Sequence, residues 1–107
     1  MAELTRGSIC GVRLGRSTGH EQSGRRYAIV VQSDALWLLN TVVVVPTSTS
    51  ARAATFRPEV VIAGQPTRAM CEQIRTVDAQ RLDGMVGALS AAELASVEDA
   101  LEIVLEL

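Results

Sequence analysis

The sequence contains almost no aromatic residues, no lysine and a single histidine. Trp37, Tyr27 and Phe56 are its only aromatic side chains, so a core built from this chain must be aliphatic and β-branched. All ten basic residues are arginine. The planar guanidinium binds phosphate at two points, which is one reason for a chain to use arginine in place of lysine. A GC-rich genome would produce the same preference for arginine. A chain of 107 residues, 48% of them hydrophobic, suffices for one domain over residues 1–107.

Two further absences concern location and redox state. No run approaches the roughly 18 apolar residues of a membrane-spanning helix. Residues 1–6 lack the apolar segment of a secretory signal. We therefore expect a cytoplasmic protein with no membrane partner. Cys10 and Cys71 each lie within an apolar run, so we expect two buried, reduced thiols rather than a disulfide.

Charge is distributed unevenly along the chain. Residues 91–107 carry five carboxylates and no base, whereas residues 1–90 hold all ten arginines against seven acids. The net charge of −2 therefore does not exclude nucleic acid as a ligand, because the body of the chain is weakly cationic.

Short apolar runs separated by turn signals predict a series of β-strands. The expected strands are 8–14, 27–32, 41–45, 55–62, 69–77 and 85–89. In the first strand, Ile9, Val12 and Leu14 point inward if Gly11 marks a bulge. The uninterrupted run 41–45 predicts a central strand covered on both faces, which Pro46 ends. Because no helix long enough for a parallel crossover intervenes, we expect an antiparallel and closed sheet.

The connections and the C-terminal segment carry their own signals. Residues 15–26 form a polar loop of functional length, and Ser33-Asp34 can cap one helical turn over 35–39. Ser90 and Glu93 fit a capping box, and the helix that follows is amphipathic. The apolar face of this helix comprises Leu94, Val97, Leu101, Val104 and Leu105.

Five segments in order resemble the MazF/PemK toxins of bacterial type II toxin–antitoxin systems. They are the opening Arg6-Gly7-Ser8-Ile9, the loop 19–26 (closest to the Kid/PemK branch), Val45-Pro46-Thr47-Ser48-Thr49, the stretch Cys71-Glu72-Gln73-Ile74-Arg75-Thr76-Val77-Asp78, and the ending at Gly87, Leu89 and Ser90 before an acidic helix. The resemblance implies a mainly-β, SH3-like antiparallel barrel of the CcdB/MazF type with a C-terminal helix.

The same resemblance implies the function. A member of this family is a homodimeric, sequence-specific endoribonuclease that needs no metal or other cofactor. It cleaves single-stranded RNA through the 2′-hydroxyl, leaves a cyclic phosphate and a free 5′-hydroxyl, and is neutralised by a cognate antitoxin whose extended tail occupies the RNA groove. The resemblance does not decide whether the target is messenger, ribosomal or transfer RNA.

This reaction requires removal of the 2′ proton, stabilisation of charge on the phosphorane, and a proton for the departing oxygen. Arg26 corresponds to the family's catalytic arginine, whose fixed cation suits the second task, although outside the family it would be read as a surface arginine. Ser48 stands where the family carries a catalytic threonine, and its serine lacks the methyl group that stiffens χ1. The alternative is a hydroxyl run that satisfies a turn.

Glu72 and His20 are the candidates for proton transfer. Glu72 occupies the position of a carboxylate proposed as general base in the Kid branch, or it is a strand carboxylate paired with Arg75. His20, the only histidine, is a candidate proton donor or acceptor, or it is a loop residue without chemistry.

The remaining candidates are RNA-binding residues, which the resemblance and their charge or hydrogen-bonding capacity single out: Arg16, Gln22, Arg25, Thr47, Thr49 and Arg75. A lone tryptophan among leucines is more often a packing residue than a base-stacking one, so Trp37 is expected in the core.

Three positions depart from the family pattern: Ser48, Tyr27 where the family has proline, and Met70 where Kid has arginine. Two alternatives stay open, the second of which is motivated by Ser48 and Met70. One is a non-catalytic toxin of the same fold, like the gyrase poison CcdB, which acts through its C-terminal helix. The other is a degenerate member that only binds an antitoxin.

Overall fold

The computed structural model describes residues 4–16 and 18–107, here called the described chain. It contains seven strands, three short 3₁₀ turns and one helix. The elements are β1 (Ser8–Arg13), β2 (Arg25–Val30), β3 (Thr41–Ser48), β4 (Glu59–Ile62), β5 (Gln65–Ala69), β6 (Arg75–Asp78), β7 (Leu82–Ala88) and α1 (Ala91–Leu105).

The strands form one curled antiparallel sheet, a half-barrel with the order β4-β5-β3-β2-β1-β7, and β6 pairs with β3 beside this path. β3 is the longest strand and pairs with β2, β6 and β5 at successive parts of its length. The register of β1 against β7 shifts between Ile9 and Cys10 and again between Gly11 and Val12, and in both places the unpaired residue belongs to β7. The predicted bulge at Gly11 is therefore wrong. β1 alternates regularly, so Ile9 points to the opposite face from Val12 and Leu14. The predicted mainly-β fold with a C-terminal helix is confirmed.

Aliphatic side chains cover both faces of the central strands. Ile9, Ile29 and Val45 face one hydrophobic cluster, which Val97 and Leu101 of α1 complete. The residues next to them in each strand face a second cluster on the opposite side: Cys10, Val30 and Val44, joined by Val12, Leu14, Ala28 and Val77. Since successive side chains of a strand point to opposite faces, two separate cores share the same three strands.

Both cysteines are buried free thiols, as expected. Burial, with a further contribution from Asp83, raises the pKa of Cys10 to about 11. Burial, with a further contribution from Glu72, raises the pKa of Cys71 to about 12. Both side chains therefore act as small hydrophobic residues at neutral pH.

Several predicted strand limits are wrong. β4 begins at Glu59 rather than at 55, β7 begins at Leu82 rather than at 85, and residues 65–68 of β5 were not predicted as a strand. β3 continues through Pro46 to Ser48, because proline gives up only its own N–H while the Pro46 carbonyl accepts a hydrogen bond from Met70 N at 2.8 Å. The predicted strand 69–77 is broken by a 3₁₀ turn at Cys71–Gln73, which separates β5 from β6. Glu72 therefore lies on a turn rather than on a strand.

The predicted packing of Trp37 is also wrong. The 3₁₀ turn Asp34–Leu36 forms under a Ser33 cap as expected, but Trp37 is 70% exposed and Leu38 75% exposed. The clusters beneath the sheet are already filled by valine, isoleucine and alanine from the strands, and this connection lies outside both of them. Leu105, at the end of α1, is exposed as well, although it was expected on the buried face.

The start of α1 has the predicted capping box. Glu93 N donates to Ser90 Oγ at 3.1 Å, and Ser90 N donates to Glu93 Oε1 at 2.9 Å. The other Glu93 oxygen accepts from Val61 N of β4 at 2.8 Å, which ties the helix to the sheet. No helix in the described chain is long and apolar enough to cross a membrane.

The Glu93 carboxylate should give the fold a defined pH dependence. Hydrogen bonds from Ser90 N and then Val61 N lower the pKa of Glu93 below its ordinary value of 4.5. Because the folded-state pKa lies below the unfolded one, this stabilisation is complete above the unfolded value and is lost as pH falls through the folded value.

We expect Glu93→Gln to lower the free energy of unfolding by about 1 kcal/mol at pH 7, since capping interactions of this kind have that size. The difference from the unsubstituted protein should shrink towards pH 3. Urea denaturation at both pH values measures it, with Asp99→Asn on the exposed face of α1 as control. An equal loss at the two pH values would contradict this account of Glu93.

Candidate functional site

A cavity of about 750 Å³ opens where β2 begins and β3 ends. It is lined by Arg25, Arg26, Thr47, Ser48 and Thr49. The other lining residues are Gly11, Tyr27, Ile62, Ala63, Gln65, Thr67 and residues 83–86. The antiparallel pairing of β2 with β3 explains this grouping, since the start of one strand lies beside the end of the other. Five of the ten residues singled out from the sequence therefore meet at one place.

Arg26 and Ser48 line the same cavity from neighbouring strands. The β2–β3 pairing ends with Ala28 opposite Pro46, and each of the two residues lies two positions beyond that last pair. Arg26 Nε donates to the carbonyl of Ser23 at 3.1 Å. Within the described chain its terminal nitrogens have no hydrogen bond or ion pair, so they can bind an anion in the cavity.

The three neighbouring hydroxyls have different surroundings. Thr47 Oγ1 donates to the carbonyl of Tyr27 at 2.9 Å and is thus engaged by the sheet. Ser48 is only 5% exposed, and its Oγ lies 3.2 Å from Ser50 Oγ and accepts from Ser50 N at 3.3 Å. Thr49 is exposed. Ser48 is the buried hydroxyl of the three whose contacts are local, so its proton can be directed at a ligand without breaking a contact between strands.

Asp83 is a wall residue that the sequence analysis missed. Its Oδ2 lies 3.0 Å from Arg25 Nη2, and its Oδ1 lies 3.7 Å from Arg13 Nε. A Cβ added at Gly11 would come within 3.3 Å of Asp83 Cβ, so glycine there lets the strands approach. Arg25 thus faces the cavity while paired with a carboxylate. The pairing of β1 with β7, which creates this contact, has no local sequence signal.

His20, Glu72 and Arg75 line a second cavity of about 430 Å³ instead. The four candidate catalytic residues are therefore divided into two pairs, with Arg26 and Ser48 in the larger cavity and His20 and Glu72 in the smaller one. Arg16 and Gln22 line neither cavity. Over residues 4–16 and 18–107, no group of three or more His, Cys, Asp and Glu side chains is placed to hold a metal ion.

Glu72 forms an ion pair with Arg57, and the pairing with Arg75 considered from the sequence is wrong. Arg57 Nε donates to Glu72 Oε2 at 2.7 Å, and Arg57 Nη2 donates to the same oxygen. Both side chains are about three-quarters buried, with exposed fractions of 24% and 26%. The 3₁₀ turn at 71–73 directs the carboxylate towards residue 57, a contact across 15 positions.

The loop that contains His20 is joined to the second cavity by a side-chain amide. Gln73 Oε1 accepts from Gln22 N at 2.6 Å, and Gln73 Nε2 donates to the His20 carbonyl at 2.9 Å. The imidazole of His20 itself is exposed. This amide contact was not expected from the sequence, where Gln73 counted only as part of a motif.

Comparison with known proteins identifies the family. The model of PemK-like, MazF-like toxins of type II toxin–antitoxin systems matches residues 5–105. Rv3098A of Mycobacterium tuberculosis, provisionally named a toxin, is 43% identical over 101 residues, or 92% of this chain and 93% of the relative. Endoribonuclease MazF9 of the same organism is 34% identical over 115 residues, or 97% of this chain and 98% of the relative.

The fold agrees with this assignment. A mycobacterial endoribonuclease solved in complex with its cognate antitoxin superposes with a TM-score of 0.82 at 20% identity, covering 96% of this chain and 95% of that one. The match over almost the whole sequence and the two relatives above 30% identity lead to one conclusion: this chain belongs to the PemK-like, MazF-like toxin family of type II toxin–antitoxin systems.

Proposed function

We propose that residues 1–107 form one toxin domain that acts in the cytoplasm as a sequence-specific, metal-independent endoribonuclease and thereby inhibits translation and growth. One observation carries the proposal. Arg26 and Ser48 reach the same cavity from neighbouring strands, and the terminal nitrogens of Arg26 make no hydrogen bond or ion pair within the described chain. A cation beside a hydroxyl is the arrangement that stabilises charge developing on a phosphorus centre.

In the proposed reaction the 2′-oxygen of the RNA attacks the adjacent phosphorus and the bond from phosphorus to the 5′-oxygen breaks. The 2′ proton leaves with a base, and the 5′-oxygen gains a proton, so the products are a 2′,3′-cyclic phosphate and a 5′-hydroxyl. Arg26 bridges two phosphoryl oxygens, and Ser48 donates a hydrogen bond to one of them. No step requires a metal ion.

Glu72 and His20 stay our candidates for moving the protons, under a condition that the geometry sets. Both lie at the second cavity, and Glu72 is bound to Arg57. They can take part only if the RNA or the loop 18–24 brings the scissile phosphate towards them. Their roles are therefore secondary in this proposal to those of Arg26 and Ser48.

The RNA-binding residues are proposed to hold the strand on either side of the cut. Arg25, Thr47 and Thr49 line the larger cavity, and Arg75 lines the smaller one. Arg16 and Gln22 belong to the loop near the entrance of β2. A phosphate that binds Arg25 must compete with Asp83. Like other contacts to RNA phosphates, this one should weaken as salt rises.

A homodimer and a cognate antitoxin are the proposed protein partners. β7 is an edge strand of the sheet, and its Met85 and Val86 are 50% and 56% exposed, which suits pairing with a second copy. The mycobacterial endoribonuclease of the same fold was solved with its antitoxin. Type II family membership supports the same kind of partner for this chain.

The central experiment incubates the purified protein with a mixed pool of single-stranded RNA in chelator and maps the new 5′ ends. We expect 5′-hydroxyl ends at one short sequence motif. Intact RNA under all conditions would overturn the proposal and favour a member that only binds its antitoxin. Cleavage that appears only with added divalent metal would overturn the metal-independent mechanism. A gyrase pull-down run beside it tests the CcdB-like alternative.

Substitution of Arg26 should remove catalysis without unfolding the protein. We expect Arg26→Ala to lower kcat on the order of 10³-fold, as for loss of a major charge-stabilising group, and Arg26→Lys to recover only part, because an ammonium cannot bridge two oxygens. Single-turnover cleavage of a defined RNA measures this. Arg81→Ala, at a position outside both cavities, controls for the lost charge. Equal cleavage by Arg26→Ala and Arg81→Ala would contradict the role of Arg26.

Two substitutions distinguish the role of Ser48 from that of Thr47. We expect Ser48→Ala to reduce kcat by about 10²-fold or more with little change in stability. Thr47→Val should instead lower the free energy of unfolding by about 1 kcal/mol, because it removes the hydrogen bond to the Tyr27 carbonyl. The two effects are measured by RNA cleavage and by urea denaturation. The reverse result, with Thr47→Val inactive and Ser48→Ala active, would move the role to Thr47.

A further inference from the structure

The side-chain amide of Gln73 holds the loop before β2 from a point 51 residues away in the sequence. Its oxygen accepts from Gln22 N at 2.6 Å and its nitrogen donates to the His20 carbonyl at 2.9 Å. The one amide therefore satisfies a backbone donor and a backbone acceptor of the same loop. Such a two-point contact fixes both the position and the orientation of the peptide units that it binds.

The loop has few other attachments. Its base is closed by backbone hydrogen bonds from Gly24 N to the Gly15 carbonyl and from Leu14 N to the Gly24 carbonyl, both at 2.8 Å. Near its tip, Thr18 N donates to Glu21 Oε1 at 3.1 Å, which is a contact within the loop. In the part of the chain that the structure describes, Gln73 and Arg26 are the only residues outside 14–24 that form hydrogen bonds with residues 18–23.

Gln73 is itself held firmly. It ends the 3₁₀ turn Cys71–Gln73, in which Gln73 N donates to the Met70 carbonyl at 2.9 Å. Cys71 is fully buried in the cluster beneath α1, and the adjacent Glu72 is bound by Arg57. The amide thus extends from a part of the fold that cannot move without disturbing the core.

We infer that Gln73 is a positioning residue for Arg26, and this inference rests on the proposed ribonuclease function. Gln73 holds the Gln22 amide, the next residue is Ser23, and the Ser23 carbonyl accepts from Arg26 Nε at 3.1 Å. This last bond holds the Nε end of the guanidinium, and Arg26 lines the larger cavity. Without Gln73 the Ser23 carbonyl is free to shift, and the guanidinium loses its alignment with the phosphate.

The test compares Gln73→Ala, Gln73→Glu and the control Gln80→Ala, which removes a glutamine from an exposed 3₁₀ turn. We expect Gln73→Ala to lower kcat roughly 10- to 100-fold with little change in KM, as for a small misplacement of a catalytic group. Gln73→Glu keeps an acceptor for Gln22 N but loses the donor to the His20 carbonyl, so its kcat should lie between that of Gln73→Ala and that of the unsubstituted protein. Gln80→Ala should match the unsubstituted protein.

A double-substitution cycle separates positioning from general damage. If Gln73 acts through Arg26, then Gln73→Ala should cause no further decrease in kcat when it is added to Arg26→Ala. If Gln73→Ala lowers kcat by the same factor in both backgrounds, the inference is overturned.

Hydrogen exchange tests the contact without any activity measurement. We expect Gln73→Ala to speed exchange of the Gln22 amide and of Arg26 Nε–H at least tenfold, while amides of α1 stay unchanged. Unaltered exchange at both sites would overturn the inference. If the unsubstituted protein cuts no RNA, the proposed function fails, while faster exchange at both sites would still support the link from Gln73 to Arg26.

Discussion

The register between β2 and β3 is the constraint on which the site depends. It brings the start of β2, with Arg26, and the end of β3, with Ser48, to the same cavity, and it also sets Ala28 and Val30 against one core while Ile29 faces the other. A slip of one residue would exchange these two sets of side chains. The small Ala28 would then occupy the place of a large Ile29, so the packing of two cores fixes the geometry of a polar site at the strand ends. The arrangement of the candidate site is therefore a consequence of aliphatic packing.

Ion pairs decide which arginines are available to a polyanion. Arg6, Arg13, Arg25, Arg57 and Arg68 each pair with a carboxylate. The excess of arginine over residues 1–90 therefore overstates the charge that RNA would meet. The two arginines of the larger cavity differ in this respect, because Arg25 is bound by Asp83 whereas Arg26 contacts only a backbone carbonyl among the described residues.

Features with a local signal could be predicted from the sequence. The capping box at Ser90 and Glu93 depends on residues close together in the chain, and the buried thiols depend on a strong preference of one residue type. The grouping of Arg26 with the hydroxyls 47–49 was reached through the family resemblance, and pairing of two adjacent strands explains it.

The features that were missed depend on contacts between distant residues. Asp83 reaches the site through the pairing of β1 with β7, and Gln73 reaches the loop across about half of the chain. Glu72 meets Arg57 because a 3₁₀ turn interrupts an apolar run that has the composition of a strand. Trp37 is exposed because smaller side chains from the strands already fill the cores. None of these outcomes follows from periodicity or from the preference of a single residue.

The structure also bears on the serine that stands where the family has threonine. A threonine methyl restricts χ1 by steric contact with the backbone, and serine lacks this restriction. In this chain Ser50 supplies a substitute, since its amide donates to Ser48 Oγ at 3.3 Å and its own hydroxyl lies 3.2 Å from the same atom. Burial of Ser48 to 5% exposure limits its rotamers further. A hydroxyl held by hydrogen bonds and packing can therefore be as well placed for a phosphoryl oxygen as one held by a methyl group, and the departure at this position is compatible with catalysis.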